Sequence, residues 1–129
     1  MNRKIELIVS TPDNSVENRY EVEWPTIDQI IQIEALKLQI SRGKYTEMLL
    51  ASTRGAERAL NYIDMCSYLS VMCPKLIKDL KVDIRKLDSL DVDKGLMKVY
   101  LTQFVPWWNQ YEDAVKAESS QEDDKEGDR

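Results

Sequence analysis

Histidine is missing from this 129-residue sequence, and cysteine occurs only twice. Histidine is the side chain that most often acts as a general base, activates a serine or cysteine nucleophile, or binds a metal. A structural zinc site needs four ligands, mostly cysteine and histidine, so two cysteines are too few. Acidic pairs are numerous and leave acid–base catalysis as an open alternative, but no pair is marked as buried. We therefore expect a protein that is not an enzyme and has no metal or other cofactor.

Long apolar runs are also missing. No uninterrupted stretch approaches the roughly 20 residues that cross a bilayer, and Glu6 interrupts the short apolar run near the N-terminus, which argues against a signal peptide. Cys66 and Cys73 are seven residues apart, about 10 Å along a continuous helix, which is too far for a disulfide. The sequence thus predicts a cytoplasmic protein without a membrane segment, whose two cysteines are reduced and buried.

Charge is unevenly distributed along the chain, whose formal net charge is -5. Residues 118–129 contain six acidic and two basic residues and no large apolar side chain. Such a segment cannot offset the entropy lost on ordering, so we expect a disordered acidic tail after a single domain of residues 1–117. This tail either increases solubility or docks onto a partner, and the first interpretation is favoured.

A basic cluster follows the middle of the chain, but acidic residues are mixed into it. Nucleic-acid binding proteins usually carry a continuous basic face, and Asp79 and Asp83 interrupt this one. The sequence therefore favours a solvated helix face and no nucleic-acid partner. The basic residues concerned are Lys75, Lys78, Lys81, Arg85 and Lys86.

Two segments near the N-terminus alternate between apolar and polar residues. Ile5, Leu7 and Val9 share one side of the first segment, and Tyr20, Val22 and Trp24 share one side of the second. A polar, turn-rich stretch separates them, so they predict an antiparallel β-hairpin with a long loop. A hairpin is marginally stable alone, so either helices of the same chain cover its apolar face or its edge joins a second chain.

Helical patterns occupy the rest of the chain. Thr26 and Gln29 form a capping-box pattern, and the helix that follows is expected to end at the glycine of Ser41-Arg42-Gly43. A short helix over 45–50 precedes a long one that begins after the loop 52–55, and Pro74 starts another short helix. Residues 82–93 form a charged connection before a last helix begins at Leu96. The predicted fold is mainly α, with an N-terminal antiparallel hairpin, a bundle of four to six helices and a disordered acidic tail.

The last predicted helix has an aromatic seam. Its apolar residues recur every three or four positions from Met97 to Val115, as in coiled coils, and Pro106 is expected to kink the helix or to start a new one. The seam either packs as core, which is the favoured alternative, or binds a partner, because tryptophan and tyrosine often dominate binding energy. Adjacent tryptophans are not expected to face fully inward together, so one of them is a candidate for partner contact. The candidate partner-binding residues are Met97, Leu101, Phe104, Trp107, Trp108 and Tyr111.

Two stretches, EWPTIDQIIQIEALKLQISRGKYTEMLL and YLSVMCPKLIKDL, carry a resemblance to a known family. A strand pair, a helix ending at Ser41, Gly43 and Tyr45, and helices broken at an apolar-proline junction resemble the tail assembly chaperones of long-tailed bacteriophages. The resemblance spans about residues 20–112. It implies a cytoplasmic factor in the host cell that coats the tape measure protein and recruits tail tube subunits, as a monomer or a homo-oligomer. The family offers no catalytic residues to carry over.

The leading hypothesis is an assembly chaperone whose aromatic and apolar helix faces bind amphipathic helices of partner proteins. The alternative is a structural or adaptor protein that remains in a phage particle.

Overall fold

The computed structural model describes residues 3–10, 17–80 and 96–127, with side chains described as far as residue 118. Two strands precede the helices, and the last three helical segments run on without a break, so this part of the chain contains five helices. The elements are β1 (Lys4–Ser10), β2 (Glu17–Glu23), α1 (Ile27–Ile40), α2 (Tyr45–Ala51), α3 (Arg54–Met72), α4 (Pro74–Asp79), α5 (Leu96–Val99), a π-helical turn (Tyr100–Phe104) and α6 (Val105–Gly127). The predicted fold class, mainly α with an N-terminal hairpin, is confirmed.

The hairpin packs its apolar face into the core of the same chain. β1 and β2 pair antiparallel, with Leu7 opposite Tyr20 and Ile5 opposite Val22. Leu7 and Val22 are buried, and α5 contacts β1. Helices therefore cover the hairpin, as in the first of the two alternatives above. The expected loop over residues 11–16 lies outside the described residues.

Helix α1 begins where the sequence predicts. The Thr26 hydroxyl accepts a hydrogen bond from the Gln29 backbone N–H at 3.1 Å, and the Gln29 side chain accepts one from the Thr26 N–H at 2.9 Å. This reciprocal pair satisfies two backbone donors that the first helical turn leaves without partners. α1 then packs against α3 through the side that carries the buried Ile33.

The end of α1 differs from the prediction by one residue. Arg42, not Gly43, follows the cap residue Ser41, and it has a left-handed backbone with φ of 55°. The Gly43 N–H bonds to the Leu38 carbonyl and the Arg42 N–H bonds to the Gln39 carbonyl, as in a Schellman motif. Gly43 also has positive φ, so both residues are needed to reverse the chain. A left-handed arginine costs about 1–2 kcal/mol relative to glycine, because its Cβ approaches the next carbonyl.

The middle helices follow the expected order. α3 begins at Arg54, slightly earlier than predicted, because the Thr53 hydroxyl caps it by accepting a hydrogen bond from the Ala56 N–H at 3.1 Å. Pro74 opens α4 at a position where its missing N–H leaves no helical hydrogen bond unmade. Cys66 and Cys73 are buried free thiols, as expected, and burial raises the pKa of Cys66 to about 11. The predicted connection over residues 82–93 lies outside the described residues.

Pro106 produces the expected disturbance of the last helix as a π-helical turn. A proline has no N–H, and its ring clashes with the carbonyl four residues earlier in an α-helix. The turn Tyr100–Phe104 widens the helix just before Pro106, and the Val105 N–H bonds to the Tyr100 carbonyl five residues back. The helix then continues as α6. The wider turn changes which side chains on its two sides share a face.

Helix α6 extends into the segment for which the sequence predicts a disordered tail. Its backbone is helical to Gly127, whereas residues 116–118, the last with described side chains, are exposed. Adding residues to an existing helix costs little compared with starting one, which accounts for a helix that continues through the exposed residues 116–118. In the described part of the chain, no helix is both long and apolar enough to cross a membrane.

Candidate interaction surface

The aromatic seam forms much of the core. Phe104 is 1% exposed, and its ring lies 5.7 Å from the rings of Tyr68 on α3 and of Trp108. Trp107 and Trp108 are 3% and 9% exposed. The hypothesis that these three side chains form a partner surface therefore needs correction, because the folded domain already surrounds them. Phe104, Trp107 and Trp108 pack as core, which is the favoured of the two alternatives given for the seam.

Both adjacent tryptophans are buried, which also corrects the expectation that one would remain available. Trp108 packs edge-on against Tyr68 with ring centres 4.8 Å apart, and its indole N–H donates to Glu112 at 3.0 Å. Trp107 lies on another side of the helix and lines a groove beside Ile5 of β1. Successive side chains on a helix point about 100° apart, so both can be buried where a helix has neighbours on two sides.

The remaining three candidate residues have different environments. Leu101 is 46% exposed, whereas Met97 and Tyr111 are half-buried against the core. The π-helical turn explains the position of Leu101: Tyr100 takes the inner place and stacks on Phe104, with ring centres 5.7 Å apart. Leu101 is thus the one exposed residue among the six candidates.

A buried lysine joins three helices. Lys37 follows Ile33 by four residues, so it shares the inward face of α1, and it is 7% exposed. Its ammonium lies 4.6 Å from the Tyr68 ring centre and 5.4 Å from that of Tyr45, and it donates to the Tyr68 hydroxyl at 3.0 Å and to Glu34 at 3.3 Å. Cation–π contacts of this kind strengthen when they are shielded from water.

The charge of Lys37 is retained in this position. Burial alone would lower the pKa of Lys37, but the hydrogen bond to Tyr68 and the interactions with Tyr45 and Glu34 outweigh it, so the pKa lies above its ordinary value. A lysine that acts as a base or nucleophile usually needs a lowered pKa. The arrangement therefore supports a structural role, in which Lys37 holds α1, α2 and α3 together.

Tyr45 and Asp64 complete this polar cluster. The Tyr45 hydroxyl donates to the Asp64 carboxylate at 2.6 Å and so joins α2 to α3. Burial raises the pKa of Asp64 above its ordinary value, although the hydrogen bond from Tyr45 and the charge of Lys37 oppose this. The folded state therefore binds the Asp64 proton more tightly than the unfolded state, and the stabilising effect of that proton is lost as pH rises above the ordinary aspartate range.

Replacement of Asp64 by asparagine tests whether burial of the Asp64 charge lowers stability. The amide keeps an acceptor for Tyr45 and removes the cost of burying a charge, so at neutral pH we expect stability equal to the wild type or higher by no more than about 1 kcal/mol. Urea denaturation at neutral pH and at about pH 4 measures the difference, which should shrink at the acidic pH because a larger fraction of Asp64 then carries its proton in the folded state. Asp64→Ala, which removes the acceptor, should be less stable than Asp64→Asn. A loss of stability in Asp64→Asn at neutral pH would contradict the raised pKa of Asp64.

Two sets of aliphatic side chains remain at the surface. The first lies on α1, where Ile27, Ile31 and Leu38 are 74%, 60% and 54% exposed. With the exposed Ala35 they follow one another at intervals of four, four and three residues, so they form a row on the side of α1 opposite the buried Ile33. We call these four residues the α1 stripe.

The second set lies at the end of α2. Leu49 and Leu50 are 55% and 79% exposed, and the helix has no fully buried residue. α2 contacts α3 on its other side. We call Leu49 and Leu50 the α2 pair. Contiguous exposed apolar side chains on a small domain indicate contact with another protein. The sequence did not distinguish these residues from core residues.

A groove separates the edge of β1 from the C-terminal helix. It has a volume of about 380 Å³ and is lined by polar and apolar side chains, among them Lys4, Trp107 and Gln110. At its end the Gln103 side chain makes two hydrogen bonds to the backbone of Ile8: Nε2 donates to the carbonyl at 2.9 Å, and Oε1 accepts from the N–H at 2.8 Å. Gln103 thus occupies part of the strand edge.

The described residues contain no group of three or more cysteine, aspartate or glutamate side chains arranged to hold a metal ion. Comparison of the chain with protein-family models, curated proteins and solved structures gives no match. The surface geometry and the sequence are therefore the basis for a functional proposal.

Proposed function

We propose that this protein is a non-enzymatic binding factor that holds amphipathic helices of partner proteins against exposed aliphatic side chains. The carrying observation is the exposure of large aliphatic side chains at the surface, with Leu49 and Leu50 of the α2 pair 55% and 79% exposed, in a domain that buries Trp107 and Trp108. An amphipathic partner helix would remove such side chains from water by laying its own apolar face against them. The residues proposed to contact the partner helix are Leu49 and Leu50.

More specifically, we propose a tail assembly chaperone of a long-tailed bacteriophage, which binds the tape measure protein and recruits tail tube subunits. This step is supported by the resemblance of residues 20–112, and by the suitability of apolar helix faces for a long helical client. A structural or adaptor protein retained in the particle is the alternative, and it needs the same surface. Mass spectrometry of purified virions separates the two, since a chaperone is absent from the finished particle.

Leu50→Lys tests the surface in a binding assay. Burial of a leucine contributes about 1.5–3 kcal/mol, so its loss should weaken binding of a tape measure segment at least about tenfold. Leu50 is 79% exposed, and the variant should therefore fold like the wild type. The measurement is isothermal titration calorimetry with overlapping tape measure segments and the tail tube protein encoded nearby.

Val115→Lys is the matched control, because Val115 is also exposed but lies on α6, apart from both apolar sets. Equal loss of affinity in both variants would mean that the added positive charge weakens binding, and not the loss of a contact in the α2 pair. If the wild-type protein binds none of these tail proteins, the chaperone proposal is wrong.

A further inference from the structure

We propose that the α1 stripe is an interface between two copies of this chain, which pair with their α1 helices antiparallel about a two-fold axis. The proposal concerns self-association and holds whatever the client is. It assigns the α1 stripe to the second copy and leaves the α2 pair on each copy for a client.

The spacing of the stripe is nearly symmetric end for end. When one α1 helix is reversed against another, Ile27 of one copy meets Leu38 of the other, and Ile31 meets Ala35. A two-fold interface requires this self-complementarity, because each contact between two residues occurs twice, once on each side of the axis. A large side chain opposite a small one also lets two helices interdigitate, as knobs do in holes.

Charge along α1 favours the antiparallel over the parallel arrangement. The exposed Asp28 lies beside the stripe in the first turn, and the exposed Arg42 lies just past its other end. An antiparallel pair brings Arg42 of each copy towards Asp28 of the other, whereas a parallel pair would bring like charges together. Lys37, the other cation of α1, points inward to Tyr68 and does not interfere. Opposed helix dipoles add to the preference.

Arg42 supports the proposal in a second way. It has a left-handed backbone, with φ of 55°, at the position that glycine usually takes after a helix. No ion pair to Arg42 occurs among the described residues, although six others are formed there. An arginine that has a left-handed backbone and no charged partner in the described part of its own chain gains such a partner if a second copy supplies Asp28.

Sedimentation equilibrium of the purified full chain over about 1–100 µM tests the proposal. These concentrations bracket the affinities of weak and moderate dimers. We expect the wild type to approach twice the monomer mass. Ile31→Glu should raise the dimer dissociation constant at least about tenfold while the circular dichroism spectrum is unchanged. Val115→Glu, the control, should dimerise like the wild type.

A charge exchange tests the antiparallel arrangement itself. Asp28→Arg and Arg42→Asp should each weaken the dimer, because each places like charges together, and the double variant should recover most of the affinity. Aspartate tolerates the left-handed backbone at position 42, so the second variant is expected to fold. Failure of the double variant to recover affinity overturns the antiparallel pairing.

Two further results overturn the proposal: a wild-type protein that stays monomeric at all these concentrations, and a dimer that Ile31→Glu leaves intact. The second result would mean that another surface joins the copies. Leu50→Lys should leave the dimer mass unchanged. A dimer that binds no tail protein would therefore remove the proposed function and leave this inference standing.

Discussion

Replacement of Phe104 by alanine is expected to lower the free energy of unfolding by about 3–5 kcal/mol, a large part of the roughly 5–15 kcal/mol that stabilises an ordinary domain. The side chain is 1% exposed and is the centre of the aromatic cluster, with ring contacts to Tyr68, Tyr100, Trp107 and Trp108 at 5.7 Å each. Alanine would leave a cavity that four large rings cannot close without leaving their preferred geometries.

Urea denaturation followed by tryptophan fluorescence measures this loss, with circular dichroism as a second probe. Phe104→Leu fills most of the volume and should cost less than half as much as alanine. Leu101→Ala, one turn away at a 46% exposed position, should change stability by no more than about 1 kcal/mol. A small effect of Phe104→Ala, similar to that of Leu101→Ala, would mean that the seam is not core.

The local rules of helix and strand formation made much of the fold predictable. The capping box at Thr26, the break at Pro74 and the alternation around Leu7 depend on neighbours within a few residues, and each lies where the sequence indicates. The period of its apolar residues also identifies the aromatic seam. The period alone does not decide the role of the seam, because the same period describes a core face and a binding face.

The exposed face of α1 was not predictable for a related reason. Apolar residues occur almost all round this helix, so the pattern does not say which side packs on α3. The buried Lys37 settles the orientation, since its ammonium lies over the rings of Tyr45 and Tyr68 on neighbouring helices. A single lysine four residues after Ile33 was the available signal, but only the tertiary contacts reveal its partners.

The π-helical turn explains why the predicted seam was partly wrong. In a regular helix Tyr100 and Leu101 both lie near the face of Phe104, whereas the wider turn before Pro106 keeps Tyr100 there and turns Leu101 towards solvent. Proline predicted a disturbance but not its form, because a kink, a new helix and a π turn all accommodate the missing N–H. The same turn carries Gln103, whose hydrogen bonds to Ile8 have no sequence signal at all.

Gln103→Leu is expected to have the second-largest effect on stability, a loss of about 2–4 kcal/mol. The Gln103 amide gives β1 the same two backbone hydrogen bonds that a neighbouring strand would give at Ile8. Leucine has similar volume but leaves a donor and an acceptor without partners, and because both are only part-buried each costs about 1–2 kcal/mol, the lower part of the usual range. Urea denaturation measures the total loss.

Amide hydrogen exchange shows where in the protein Gln103→Leu loses this stability. The Ile8 N–H donates to Gln103 at 2.8 Å, so its exchange should accelerate more than that of Leu7, which lies next to it. Gln103→Glu keeps the acceptor for that N–H but places a carboxylate oxygen against the Ile8 carbonyl, and should lose stability with less effect on Ile8 exchange. Gln110→Leu, an exposed change on the same groove, should leave both measurements near the wild type.

Loss of Gln103 should also alter how β1 meets other chains. An uncovered strand edge presents backbone donors and acceptors that can pair with a second strand. Gln103→Leu is therefore expected to associate at high concentration through β1, and this association should persist when Ile31→Glu is added, because it does not involve α1. If Gln103→Leu is as stable as the wild type and Ile8 exchange is unchanged, water satisfies the edge equally well, and the glutamine is incidental to the fold.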